Sequence, residues 1–225
     1  MRIWNRTLVA LSFILMLALM SACGNSSPQS SPGDASATPV PSPSSKGPKQ
    51  WKNPPAMSID PNKTYEAEVK TSKGTFTMQL LAKEAPKTVN NFVFLAKEGY
   101  YDNVIFHRII KSFMAQTGDP TGDGTGGPGY TFEDELKPGV NYEPGTVAMA
   151  NRGKNTNGSQ FFICTGPDCA ANLNSQPNYT IFGKVTAGMD TIQKIAETPV
   201  KQGRESLPSV PTEKVTIDSI AIKEK

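Results

Sequence analysis

A chain of 225 residues has room for one domain of ordinary size with appendages. Its 23 Lys+Arg against 20 Asp+Glu give a formal charge of +3, and removal of Arg2 and Arg6 with the first 22 residues would leave 21 against 20. The remaining charges are dispersed along the chain. Nucleic acid, which is held by clustered positive charge, is therefore not an expected partner.

At the N-terminus, Arg2 and Arg6 precede a mostly apolar run, Leu8–Met20, and the small residues Ser21 and Ala22 lead to Cys23. A mature transmembrane helix needs about 20 apolar residues, so this run is too short to remain as one. Charge, apolar run and small-residue exit together have the form of an export signal. The string LALMSAC resembles a bacterial lipobox, in which the Cys becomes the acylated first residue of a lipoprotein carrying palmitate-type chains. Ordinary signal cleavage is the alternative, since Met20 is an uncommon residue at its lipobox position. The expected divisions are a signal peptide over 1–22, a Ser/Pro-rich disordered tether over 23–58, and a folded domain over 59–225. The tether has few large apolar residues, so it cannot offset its own ordering entropy.

In the folded part, Tyr65, Ala67 and Val69 alternate with Glu66, Glu68 and Lys70, the period of a strand with one wet face. Ser72-Lys73-Gly74 supplies a turn, and Phe76, Met78 and Leu80 continue the alternation, so the two runs read as a hairpin. Pro86 suits a first helical turn, Val89, Phe92, Val93 and Ala96 share a face, and Gly99 ends the helix. Short strands are expected at Val104–Ile110, Phe113–Thr117, Thr146–Ala150, Gln160–Cys164 and Thr180–Val185. A second helix is expected at Met189–Ala196 and a last strand at Lys214–Lys223. Many short strands with glycine-rich turns and two helices predict an all-β dominated fold, a closed antiparallel barrel without exposed edges.

Two segments stand out, FHRIIKSFMAQTGD at Phe106–Asp119 and MANRGKNTNGSQFFI at Met149–Ile163. They mix apolar residues with uncharged amides, and the first carries Arg108. No nucleophile–base pair, metal cluster or phosphate loop accompanies them. A site of this composition suits an extended, largely apolar peptide and a small shift of charge. The two segments closely resemble the signature stretches of the cyclophilin family of peptidyl-prolyl cis-trans isomerases, and the resemblance runs from about Tyr65 to the C-terminus.

That resemblance implies an eight-stranded barrel with a helix capping each end, and it implies roles for particular residues. Arg108 matches the catalytic arginine, and Gln116 matches an amide that orients it. Phe113, Met114, Phe162 and Leu173 match positions lining the pocket for the proline ring. Gln160 matches the second orienting amide, while Ala150 and Asn151 match the strip that pairs with the substrate main chain. By itself an apolar residue in a strand reads as core, and composition alone does not separate pocket from core. His107, the only histidine, has no nucleophile to serve and reads as structural. The Gly-rich run Thr121–Gly129 lacks a GK[ST] ending and reads as a loop rimming the groove.

The expected activity is isomerisation of X–Pro bonds in unfolded or exported polypeptides by a lipid-anchored, extracytoplasmic monomer, with no cofactor and no metal. A tethered proline-peptide-binding chaperone module with little turnover is the alternative. Cys164 and Cys169, five positions apart, either bridge or leave Cys164 as a small buried apolar residue. Three departures from the family pattern bear on the far wall of the pocket. Asn172 stands where many cyclophilins have Trp, Tyr179 stands where many have His, and Arg152 replaces a frequent Ala. The loop Gly166–Pro177 also differs in length. Weakened binding of cyclosporin, the cyclic-peptide inhibitor associated with the family, is expected to follow.

Overall fold

The computed structural model describes residues 48–139, 141–203 and 205–225. The expected signal segment, Cys23 and most of the tether lie outside the described residues. In chain order the elements are β1 (Tyr65–Thr71), β2 (Gly74–Leu80), α1 (Pro86–Lys97), β3 (Arg108–Ile110), β4 (Met114–Thr117), β5 (Thr146–Met149) and β6 (Phe161–Cys164). They continue with α2 (Asp168–Leu173), β7 (Ile181–Ala187), α3 (Met189–Ala196), β8 (Val200–Gln202), β9 (Pro208–Pro211) and β10 (Ile217–Glu224).

Eight of the strands form one antiparallel sheet in the order β10-β1-β2-β7-β5-β6-β4-β3, and β8 and β9 pair as a separate ribbon. The β1–β2 hairpin forms as the alternation predicts, with Tyr65, Ala67 and Val69 inward and Val69 opposite Phe76. Bulges where β1 meets β10, β2 meets β7 and β5 meets β7 bend the sheet.

The sheet curls into a half-barrel, and the closed barrel expected from sequence does not form. The two edges approach across a seam where Asn103 N–H donates to Ile217 O (2.7 Å), Phe106 N–H to Val215 O (2.9 Å) and Ile217 N–H to Val104 O (2.8 Å). The reason is local. Residues 104–107, expected to extend β3, follow a turn with Asn103 at φ 63° and make only the single bridge Ile105–Thr216.

The concave interior is filled by Phe92, Tyr101, Phe161 and Phe182, all fully buried, with ring centroids 5.3–6.1 Å apart. α1 contributes Val89, Phe92, Val93, Leu95 and Ala96 to this core, and α3 contributes Ile192, Ile195 and Ala196. They start at opposite ends of β2, since α1 follows Leu80 while Gly188, which precedes α3, packs on Thr75 and Phe76. The first turn of α1 lacks a side-chain cap of its own. Glu135 takes the Lys87 and Thr88 N–H groups instead, placing a carboxylate where the helix end is most positive.

A third helix, the six-residue α2, sits inside the segment read as loop from sequence. Packing also starts earlier than residue 59. Trp51 lies 5.2 Å from Phe94 and 5.8 Å from Tyr100, ring to ring, and its backbone N–H donates to Pro128 O at 2.8 Å. Asn90 holds the stretch behind it, accepting from Ser58 N–H and donating to Ala56 O. The last residues of the expected tether are thus part of the folded unit.

Candidate functional site

Strands β4, β5 and β6 are buried on both faces, so alternate residues serve two different clusters. Ala115, Val147, Met149, Phe161 and Ile163 point into the half-barrel. Met114, Ala148, Phe162 and Cys164 point out, where they join Tyr142 and Cys169 in a second apolar cluster. Ile110, Phe113, Ala150, Leu173, Tyr179 and Ile181 cover it only in part. Phe113, Met114, Ala150, Phe162 and Leu173, five of the residues expected at the site, therefore meet on one outer face.

Strand register explains the gathering. Arg108 pairs with Gln116, Gln116 with Phe162, Phe162 with Ala148, and Ala148 with Ile181, a row crossing five strands on the same side of the sheet. The next row holds Ile110, Met114 and Cys164. A four-residue turn links β3 to β4, with Phe113 N–H donating to Ile110 O at 3.0 Å and Ser112 at φ 67°. It leaves the Phe113 ring at the edge of the cluster, half-buried.

The amides form an ordered relay. Gln160 Nε2 donates to the carbonyls of Gly124 (3.1 Å) and Gly126 (2.9 Å), which fixes which end of that amide is nitrogen. Gln160 Oε1 then accepts from Gln116 Nε2 at 3.0 Å. Gln116 Oε1 is thereby turned to Arg108, whose Nη1 lies 3.5 Å away and 3.4 Å from Met114 Sδ. The contact to Gln116 is long and the thioether is a weak acceptor, so the relay aims the guanidinium only loosely. Asn151 commits its side chain locally, with Nδ2 donating to Asn178 O and Oδ1 accepting from Gly153 N–H.

The Gly-rich loop is built around Asp119, which accepts from Thr121 N–H, Thr121 Oγ1 and Gly124 N–H at 2.6–2.7 Å. Arg152, one of the departures from the family pattern, pins the same loop by donating to Gly124 O. Loop and strands enclose a cavity of about 650 Å³ lined by Gln50, Gln116, Gly126, Ala150, Asn151 and Gln160, among others. At Gly129 (φ +93°) a Cβ would stand 2.6 Å from Trp51 O, so only glycine allows the N-terminal segment this close.

Burial pushes the His107 imidazole below its ordinary pKa, with Asp119 pulling partly the other way. Neither ring nitrogen has a hydrogen-bond partner among the described residues. Among the same residues no cluster of His, Cys, Asp or Glu has the makings of a metal site, and no helix is long and apolar enough to cross a membrane. The proposed lipid-bearing Cys23 lies outside them.

Of three further features of the site, the sequence reading left the first open between two alternatives and missed the other two. Cys164 and Cys169 are joined in a disulfide, both buried, and this ties β6 to α2, which carries Leu173. Tyr142 fastens the segment carrying Tyr179, donating its hydroxyl to Tyr179 O at 2.6 Å and accepting from Tyr179 N–H at 3.0 Å. The Tyr179 ring then stands edge-on to Phe162 at 5.4 Å. The third feature is Glu205, which forms an ion pair with Arg108. Spacing distinguished a bridge between the cysteines from a buried thiol no better than it marked the other two.

The family described as "Cyclophilin type peptidyl-prolyl cis-trans isomerase/CLD" matches residues 66–222. The chain is 53% identical over 129 residues to a peptidyl-prolyl cis-trans isomerase-like 1 of Aspergillus fumigatus, covering 56% of this chain and 78% of that protein. It is 46% identical over 149 residues to one of Gibberella zeae, covering 64% and 88%. A crystal structure of a cyclophilin type peptidyl-prolyl cis-trans isomerase of Cryptosporidium parvum superposes with a TM-score of 0.64 at 35% identity, covering 72% of this chain and 99% of that one. The same protein in the presence of the dipeptide Ala-Pro gives 0.63 at 35% identity, covering 71% and 99%. A family match across most of the chain, the half-barrel and the outer apolar cluster agree, and the chain belongs to the cyclophilin-type peptidyl-prolyl cis-trans isomerases.

Proposed function

We propose that this isomerase turns X–Pro bonds by receiving the proline ring on Phe113, Met114, Phe162 and Leu173 while Arg108 donates toward the twisting bond. The barrier to rotation is amide resonance, about 18–20 kcal/mol in an ordinary peptide, and no covalent bond has to be made to lower it. Twisting localises the lone pair on the prolyl nitrogen, so a donor near it binds the twisted state more strongly than the planar one. Gln116 and Gln160 orient that donor, and the main chain at Ala150 and Asn151 pairs with the extended substrate. The observation that carries this reading is the cross-strand row Arg108–Gln116–Phe162, which puts a charged donor beside an apolar surface left partly uncovered. The relative crystallised with Ala-Pro supports a proline-containing peptide as the ligand class.

The finer reading is that the enzyme acts outside the cytoplasm on newly exported chains, held to a bacterial membrane by acyl groups on Cys23. It rests on Arg2, Arg6, the apolar run and the LALMSAC string. A single myristoyl chain holds only marginally, so a stable anchor implies more than one acyl chain. Mass spectrometry of the mature N-terminus tests it: an unmodified Cys23, or cleavage elsewhere, removes the anchor from the reading.

Exchange NMR on a short Ala-Pro peptide, with and without the chain from Gly24 onward, tests the activity. Accelerated cis–trans exchange is expected. Binding without acceleration would instead favour the chaperone module.

A further inference from the structure

Glu205 stands 97 positions from Arg108 in sequence, yet its carboxylate faces the guanidinium edge-on. Oε1 lies 2.5 Å from Nε and Oε2 lies 2.9 Å from Nη2. This is the two-point geometry in which a planar fork and a carboxylate fix each other's orientation. Both groups keep some solvent contact, with side-chain exposures of 28% for Arg108 and 40% for Glu205.

The backbone brings Glu205 there. β8 and β9 pair through Val200–Pro211, Lys201–Val210 and Gln202–Pro208, and β9 lies against β3, whose first residue is Arg108. The loop joining β8 to β9 is therefore beside Arg108, and the Gln202 amide fastens it by donating to Glu205 O.

A guanidinium has five N–H donors. Glu205 takes one on Nε and one on Nη2, and the two on Nη1 face Gln116 Oε1 and Met114 Sδ. One hydrogen, on Nη2, remains. We propose that Glu205 is a positioning residue for the isomerisation, clamping the outer edge of Arg108 so that its free Nη2 donor and the loosely held Nη1 group are turned toward the bound X–Pro segment. The inference rests on the reading of Arg108 as the donor. Its physical basis is the contrast in contacts. On the sheet side Arg108 meets Gln116 only at a long 3.5 Å and Met114 only through a weak thioether acceptor. The charged, two-point contact comes from Glu205.

Glu205→Ala and Glu205→Gln in the chain from Gly24 onward test the role, with kcat and KM for an Ala-Pro peptide measured by exchange NMR. For a partly exposed pair the expected loss in kcat for Glu205→Ala is roughly three- to five-fold, with KM within about twofold of the parent, as for an interaction that matters in the transition state. Glu205→Gln keeps one acceptor and should lose less. In 15N-arginine spectra the Arg108 Nε–H should exchange faster with water in Glu205→Ala.

Unchanged kcat with a loosened Nε–H would overturn the positioning role, and so would an Nε–H that exchanges equally fast in parent and variant. Faster turnover would overturn it as well and make Glu205 an obstruction. Arg108→Ala separates the two levels. Near-normal turnover in that variant removes the reading of the site itself, whereas a collapse there with no effect at Glu205 removes only the clamp.

Discussion

The interior of the half-barrel and the apolar cluster on its outer face are made from the same three strands and differ by one residue in phase. Phe161 and Ile163 face in, Phe162 and Cys164 face out. The inward set is closed, with Phe92, Phe161 and Phe182 fully buried in a continuous aromatic packing. The outward set is left unfinished, because Phe113, Leu173 and Tyr179 cover it only partly. Folding completes one apolar surface and leaves the other, the proposed proline surface, partly open, with polar groups brought to its border by strand register.

The sharpest way to break the comparison is to damage each side and read both stability and turnover. Phe92→Ala should cost about 3–5 kcal/mol of stability, the usual range for truncating a buried aromatic ring, and chemical denaturation measures it. Turnover per folded molecule should stay near the parent value.

Arg108→Ala should do the reverse. Its loss removes a preorganised donor, so isomerisation should fall about 10²–10³-fold, while a substitution outside the core changes stability by only about 0.5 kcal/mol. Exchange NMR beside a thermal melt reads the two together. Near-normal turnover in a folded variant would remove the assigned mechanism.

A third experiment falls between them. The Cys164–Cys169 bridge belongs to the outer cluster and holds α2 against β6. Closing so short a loop should contribute about 2 kcal/mol, the low end of the disulfide range. Reduction should lower the melting temperature and raise KM by freeing Leu173, with little change in kcat. An equal fall in stability with KM unchanged would show that the bridge serves folding alone.

The smallest effect concerns the far wall of the pocket. The Asn172 side chain folds back to donate to Asp168 O on its own helix and presents no flat apolar surface. An aromatic anchor at a binding hot spot contributes about 2 kcal/mol or more. Cyclosporin should therefore bind at least about tenfold more weakly than to a member with Trp there, a factor worth about 1.4 kcal/mol. Calorimetric titration of both proteins in one buffer measures it.

The parts legible in the sequence are those with a local signature. α3 carries the bounds expected for it, Met189–Ala196, and the β1–β2 hairpin follows its period-two alternation. Strands buried on both faces lose that alternation, so Phe161 and Phe162 look alike until register assigns them to different clusters. Arg108, Gln116 and Phe162 were reached only through the resemblance of whole segments. Glu205 belongs to a short loop with no period, and the prolines at the ends of β9 hide a strand. Trp51 was hidden by averaging, since one large ring changes little in a stretch rich in Ser and Pro. The seam between β3 and β10 depends on the turn at Asn103, which no count of strands reveals.

The docking of Trp51 has a consequence for orientation. Its backbone N–H holds Pro128 O, and its neighbour Gln50 lines the cavity shared with Gln116 and Gln160. The chain thus enters the folded unit at the groove rather than at the back of the barrel. Anything attached ahead of Pro48, whether surface, bead or second protein, takes hold of the molecule by the lip of its working cleft.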